Sequence, residues 1–447
     1  MKTLSKCFRY VDWVALGKKR RTSAASPFFS RSYAGYTGAQ METIARHVKH
    51  DQMSIFDPMA GQAFGLSSLT WLGHDVWLND YNPALILFAW LRSRQVMDQF
   101  DELKKDYTDW LAEINFENTA ETSSKNSTID FHEGWLAASI QEDLLKYGQK
   151  LTSTNLQKLL QNENFSRTDL FKLATVVLAA RRLAVFSKSD NVTWLKPGGL
   201  LRVKDLKTEI LSELEELTQW RIALLAQFGE DLFRKSDSAC HLSAVQVNAI
   251  CPEFAASTDI VICSPPYANR LDYSTMWAPE LKILEALGQD GLCSEIKANQ
   301  VATNIVKGRE DLSSKLGDLP DDVIESLEEI RNSTEYASKS YYFPYFAHFC
   351  IDLHHAILAS VRSAPSAKRW LVFIRDTTRK DTLIESHRIV EHALYVAGLS
   401  KTSDSELGIV RNHVGVSRRG YAKQTLHGLV QREWSLCFTT SECKNES

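Results

Sequence analysis

Hydrophobic and polar positions along this chain follow two alternating periods. Short β-branched or aromatic runs occupy residues 53–57, 74–80, Ile260–Cys263 and 370–376, and each stops at a polar residue or proline. That pattern predicts buried strands. A weaker alternating run at residues 244–250 predicts one more strand. Between these runs apolar residues recur at helical spacing. Met41, Ile44, Ala45 and Val48 share one face, as do Leu173, Val176, Val177, Ala180 and Leu183, with a further stripe across residues 205–234. Residues 341–361 place Phe346, Phe349, Cys350, Leu353, Ala356 and Ile357 on a packing side, and residues 387–396 form another helix. Strands alternating with helices predict an α/β architecture around a mostly parallel sheet. Two β-like runs within residues 407–438 close the chain.

The spacing is uneven. About 160 residues separate the second predicted strand from the third, too long for an ordinary connection, so an inserted and mainly helical module is expected at 93–240. Within it, residues 116–130 are polar, and Trp194 and Lys196 sit on a Gly- and Pro-rich turn that is either a DNA contact or a helix corner. The remaining boundaries are an N-terminal arm at 1–30, a ligand-binding part at 31–92, a strand-and-turn part at 241–288, a polar insertion or lid at 289–340, and the rest of the sheet at 341–447. The arm carries the basic run 17–21, either a solvated tail or a phosphate contact.

Composition narrows the function. Hydrophobic residues make up 44% and charged residues 24%, ordinary for a globular protein. No apolar run is long enough for a membrane span, and the first residues lack the apolar core of a secretory signal, so a cytoplasmic location is expected. The eight cysteines include no C-x-x-C pair, which excludes the usual zinc ribbon, and no metal site is assigned. With a net charge of −3, a nucleic-acid partner needs a local basic surface or help from another subunit.

The candidate chemistry lies at strand ends, where open parallel sheets bind ligands. After Ile260–Cys263 come Ser264, Pro265, Pro266 and Tyr267: a hydroxyl, two rigid residues without N–H, and an aromatic ring. Ser264 and the Pro265 carbonyl suit hydrogen-bond acceptors for an amine, and Tyr267 suits stacking; a plain proline-rich turn is the bland alternative. Asp57 and Pro58 precede Ala60, Gly61 and Gly65 in a strand–loop–helix segment whose backbone N–H groups can face a ligand. Some twenty residues on, Asp80, Tyr81 and Asn82 end the next strand, the spacing of a carboxylate that holds ribose hydroxyls.

Together these strings resemble the DNA amino-methyltransferases, whose signature is [D/N/S]-P-P-[Y/F/W] after a strand. The 57–65 segment resembles their D-P-F-x-G-x-G-T loop, with Gln62-Ala63-Phe64 as a departure, and 79–83 resembles their D-x-N-P. The resemblance covers about half the chain. It implies a Rossmann-like class I methyltransferase fold, a seven-stranded sheet with an antiparallel last strand, and S-adenosylmethionine as cofactor. It places Asp57, Pro58, Ala60, Gly61, Gly65, Asp80, Tyr81, Asn82, Asn248, Tyr36 and Thr37 around that donor. Asn269, Arg270 and Asp272, and the basic Arg418 and Arg419, are candidates for substrate contact. The implied reaction methylates an exocyclic amine of a base flipped out of duplex DNA. By family habit serine at position 264 favours cytosine N4 over adenine N6. Restriction-modification or phage defence is the implied setting, with a partner nuclease or defence subunit as a further partner. An RNA (tRNA) base methyltransferase and a catalytically silent DNA-binding subunit are the alternatives.

Overall fold

The computed structural model describes residues 36, 38–48, 52–63, 65–114, 131–132, 136–151, 166–184, 205–228, 238–268, 273–301, 303, 313–379, 382–403, 405–409 and 432–440. Thr37, Asn269, Arg270, Asp272, Arg418 and Arg419 lie outside them, as do the 17–21 and 116–130 runs and the Trp194 turn.

The strands of the main sheet are β1 (Ser54–Asp57), β2 (Asp75–Asn79), β3 (Cys240–Ser243), β4 (Ile260–Cys263), β5 (Arg369–Arg375), β6 (Ser400–Lys401), β7 (Glu406–Ile409) and β8 (Arg432–Thr439). The hydrogen-bonded path runs through seven of them in the order β6-β8-β5-β4-β1-β2-β3, and β7 pairs with β8. From β3 to β5 all neighbours are parallel. At the other edge β8 runs antiparallel to β5, and β6 and β7 run antiparallel to β8. The protein is therefore α/β, with a mostly parallel mixed sheet and antiparallel strands at one edge.

Successive strand residues face opposite sides, and both faces are covered. Ile55, Val76, Ile260, Ile262, Leu371 and Phe373 enter one core, while Phe56, Val261, Cys263, Trp370, Val372 and Ile374 enter the other. This double burial explains why β4 is an unbroken apolar run. Burying each of its Ile and Val side chains contributes about 1.5–3 kcal/mol.

The first core is roofed by α1 (Gly38–His47), α2 (Pro83–Leu91), α3 (Phe100–Ala112), α4 (Ala138–Lys150), α5 (Arg167–Leu183), α6 (Leu206–Phe228), α7 (Ala278–Ala286) and α8 (Leu292–Asn299). The helices of the 93–240 segment thus share one continuous core with the sheet. Two of its side chains on the predicted α6 stripe, Leu211 and Ile222, are instead exposed. The second core is closed by α9 (Asp321–Asn332), α10 (Phe343–Ser363) and α11 (Ser386–Val396). Although residues 289–340 read as polar, α9 buries Val323, Leu327 and Ile330 in this core.

The third strand departs from the sequence pattern. It ends at Ser243, and Val247–Ala249 forms a short 3₁₀ turn where an alternating strand is predicted. The cause is the length of β2. Its ladder pairs Asn79 with Ser243 and stops. Beyond it the Asn79 side chain takes over, donating to the Val245 carbonyl at 3.1 Å and accepting from the Val245 N–H at 3.3 Å. A side-chain amide thus replaces the next backbone partner and lets the chain turn. Among the described residues no helix is long and apolar enough to cross a membrane.

Candidate functional site

At the carboxyl ends of β1, β2, β3 and β4 the chain encloses a cavity of about 500 Å³, within the size range of small-molecule sites. Asp57, Asp80 and Ser264, from three neighbouring strand tips, all line it. So do Tyr36, Pro58, Ala60, Gly61, Tyr81, Asn82, Asn248, Pro265, Pro266 and Tyr267.

The loop after β1 is built by short contacts. The Ala60 N–H donates to the Asn79 carbonyl at 2.8 Å, and the Ala63 N–H to the Ala60 carbonyl at 2.7 Å. Asn79 also donates its side-chain N–H to the Pro58 carbonyl at 2.9 Å. The fully buried Arg92 reaches back to donate to the Gln62 carbonyl, and burial lowers its guanidinium to about 9. Gly61 has φ +54, and a Cβ there would meet nothing within 4 Å, so its backbone borders open space. The second left-handed position of the loop is Ala63, φ 43, a conformation that costs a non-glycine residue on the order of 1–3 kcal/mol.

Gly65 is a correction. It does not line the cavity, and a Cβ on it would lie 2.6 Å from the Met41 sulfur of α1. It permits close helix packing rather than ligand approach. With φ +123 as well, Gly65→Ala should destabilise the fold by about 1–3 kcal/mol, chiefly from backbone strain, since the Met41 side-chain end can move aside. Chemical denaturation of the unmodified chain and of Gly65→Ala measures this, and an unchanged midpoint would contradict the strained backbone.

The two carboxylates differ in setting. Asp57 is buried, accepting from the Tyr36 hydroxyl at 2.8 Å and the Met59 N–H at 3.1 Å. Burial pushes its carboxyl up to about 7 even though both hydrogen bonds pull it down. Asp80 accepts from the Gly61 N–H and the Asn82 N–H, each at 2.8 Å, and burial pushes it up to about 6. Its carboxylate thus clamps the loop after β1 to the tip of β2. Asn82 spends its side-chain oxygen capping α2 at the Ala84 N–H, 3.1 Å away, with Pro83 in the first turn. Asn248 stands exposed on the 3₁₀ turn at the cavity wall.

In the Ser-Pro-Pro-Tyr segment the Ser264 hydroxyl and the Tyr267 hydroxyl lie 3.0 Å apart. Burial raises the Tyr267 phenol above its ordinary range. The Arg375 guanidinium sits 5.6 Å from the Tyr267 ring centroid, close enough for a cation–π attraction. The Tyr36 hydroxyl also lies 3.4 Å from the Ile262 carbonyl, so this side chain bridges the ends of β1 and β4.

Several lining residues were not anticipated from the sequence. Ile296, Asn299 and Gln300 of α8 and its C-terminal end border the cavity, and the Tyr81 hydroxyl donates to Glu295 at 3.0 Å. The start of the predicted lid, around Ile296–Gln300, is therefore part of the cavity wall. His348, Asp352 and His355 of α10 line the cavity too, and burial pushes Asp352 up to about 6. Their spacing of four and three residues puts them on one stripe of a helix, a signal present in the sequence beside the apolar stripe. Tyr273 and Trp277 complete an aromatic side.

Asp376, Glu385 and His387 bring potential ligand atoms within 4.8 Å of one another. Hydrogen bonding already accounts for Asp376 and His387 in that cluster. Asp376 accepts from the His387 backbone N–H at 3.2 Å, the His387 Nδ1–H at 2.9 Å and the Trp434 indole N–H at 2.9 Å. It fastens α11 and β8 to the end of β5.

No protein-family model matches the chain, and no curated protein matches it.

Asp57 contributes to the pH dependence of stability in the same direction as other carboxyls raised by burial, among them Asp80, Asp352 and Glu213. For Asp57 the folded pKa of about 7 exceeds the ordinary carboxylate value of 3.8. The folded state therefore binds more protons than the unfolded state between those values, and stability falls as pH rises through that window. A three-unit shift corresponds to about 4 kcal/mol. Thermal unfolding from pH 4.5 to 8 should show a falling Tm for the unmodified protein and a flatter profile for Asp57→Asn. A rising profile would contradict the assignment.

Proposed function

We propose that the protein is an S-adenosylmethionine-dependent methyltransferase acting on the exocyclic amine of a base extruded from DNA, cytosine N4 ahead of adenine N6. The observation that carries this reading is the convergence of Asp57, Asp80 and the Ser264–Tyr267 segment on one cavity. The strand order, with a parallel run followed by an antiparallel strand beside β5, agrees with the Rossmann-like class I methyltransferase fold.

The donor-side residues suit the group. Gly61 opens its backbone to the cavity, and the two carboxylates on the cavity wall would offer acceptors to a cationic amino-acid end and to a ribose. The raised Asp57 is a carboxyl that a nearby cation would return to its ionised form. When bound, S-adenosylmethionine supplies an electrophilic methyl, which the amine nitrogen takes as the carbon–sulfur bond breaks.

The chain's own part is to make that nitrogen nucleophilic. A base amine shares its lone pair with the ring. Hydrogen-bond acceptors on its two N–H groups draw the nitrogen towards tetrahedral geometry and free the pair. The Pro265 carbonyl accepts one. Ser264 accepts the other while its own proton is turned to the Tyr267 oxygen, the arrangement that the 3.0 Å contact allows. The Tyr267 ring, with Arg375 beside it, offers the base a stacking face. After transfer one N–H proton leaves to water.

Nucleoside mass spectrometry on DNA and tRNA from cells expressing the chain tests the reading. N4-methylcytosine or N6-methyladenine in DNA, lost with Ser264→Ala, is the expected result. Methylation confined to tRNA would move the substrate to RNA. Binding of the donor should also strengthen from pH 5.5 to 7.5 as Asp57 ionises, with proton release seen by calorimetry in two buffers.

A further inference from the structure

The strained residue of the loop after β1 is held from outside that loop. Ala63 is buried and left-handed at φ 43, and with Gln62 it borders the cavity. Its own carbonyl is fixed, accepting from the Ser67 N–H at 3.2 Å and the Ser67 hydroxyl at 3.3 Å. The angle φ at Ala63 is then set by the orientation of the planar peptide that joins Gln62 to Ala63. One edge of this plane, the Ala63 N–H, donates to the Ala60 carbonyl at 2.7 Å. The opposite edge, the Gln62 carbonyl, accepts from the guanidinium of Arg92, 30 residues further on.

Arg92 is itself firmly placed. It caps the end of α2, where its N–H donates to the Ala89 carbonyl at 3.2 Å and its carbonyl accepts from the Trp71 indole N–H at 2.9 Å. The side chain is fully buried, and burial lowers its guanidinium to about 9, so the charge is kept there at a cost. An apolar side chain of similar volume would avoid that cost. The loop supplies the reason for an arginine. Rotating the 62–63 peptide by half a turn would carry φ at Ala63 into the ordinary extended range and relieve its strain. The same rotation would break the bonds at both edges of the plane and turn the Gln62 carbonyl away from Arg92.

We propose that Arg92 is a positioning residue that blocks a flip of the 62–63 peptide and so keeps the loop beside Gly61 in the shape that receives the donor. The identity of the ligand rests on the methyltransferase reading; the clamp rests on the contacts just described. A strained residue persists only while its surroundings over-determine it. Without Arg92 the flipped form becomes populated, and the apparent donor affinity falls in proportion to the molecules still in the competent form. Ser264 and Tyr267 follow a different strand, so the chemical step at saturating donor is untouched.

The test compares Arg92→Met with the unmodified chain, each with Ala63 and with Ala63→Gly. Amide hydrogen exchange at position 63 reads the loop without any ligand. Titration with S-adenosylmethionine and single-turnover rates at saturating donor read the consequence. Arg92→Met should speed exchange at position 63 and raise the donor Kd by about tenfold each, with the saturated rate within about twofold. In the Ala63→Gly background the left-handed conformation carries no strain to relieve, and the same change should raise Kd less than about threefold. A purely structural role would cost the same in both backgrounds. Thermal unfolding is followed for every variant; should Arg92→Met not fold, Arg92→Lys, which lacks the planar fork, takes its place in the same comparison. Unchanged exchange and Kd, or equal losses in the two backgrounds, would overturn the clamp. Faster exchange in Arg92→Met, when the unmodified chain binds no S-adenosylmethionine, would keep the clamp on the loop and remove the methyltransferase reading.

Discussion

Ser264→Ala and Tyr267→Ala should each lower methyl-transfer kcat by about 10²–10³-fold, the scale on which loss of one preorganised transition-state contact is felt. Donor affinity should stay within about twofold, because neither side chain belongs to the loop that Asp80 clamps. Positive charge builds on the amine nitrogen only as the new bond forms, so an acceptor at Ser264 acts more strongly on the transition state than on the bound base. Tyr267→Ala removes the stacking face as well and should raise KM for DNA. The two hydroxyls share a 3.0 Å contact, so the double variant should fall short of the product of the single losses. Single-turnover rates for the three variants decide this, and a Ser264→Ala enzyme with full activity would remove the serine from the mechanism.

Replacement of Asp80 carries the second large effect. Asp80→Ala should weaken S-adenosylmethionine binding by on the order of 10²-fold or more, measured by isothermal titration. On the proposed reading its carboxylate supplies charged acceptors to the donor, and it already holds the Gly61 N–H and the Asn82 N–H in place. Hydrogen bonds to a charged group contribute about 1.5–3 kcal/mol each. Asp80→Asn should be little better, since one of its two terminal groups must present N–H to an N–H. Donor binding that survived either change would separate Asp80 from the site.

The strands were readable because β-branched residues buried on two faces leave an unmistakable run, as in Ile260–Cys263. Asp57, Asp80 and Ser264 were readable because each ends such a run. Gly65 is expected at the ligand from its spacing but packs towards Met41 instead of lining the cavity, a difference that spacing along the chain does not carry. Residues 244–250 misled for a similar reason: the side chain of Asn79 ends the third strand early, and it lies far away in sequence. His348, Asp352 and His355 recur at helical spacing beside the apolar stripe of α10, but only the cavity marks them as lining residues.

What the sequence determined by itself is the set of local periods, the residues that stop each strand, and the order in which loop, acidic tip and Pro-Pro turn occur. These depend on side-chain shape and backbone freedom within a few residues. Only the tertiary structure decided that three distant tips share one hollow, that α8 and α10 wall it, and that Asp57 is held near neutrality by burial. Those outcomes depend on which surfaces exclude water together, and parallel pairing across long crossovers sets that globally.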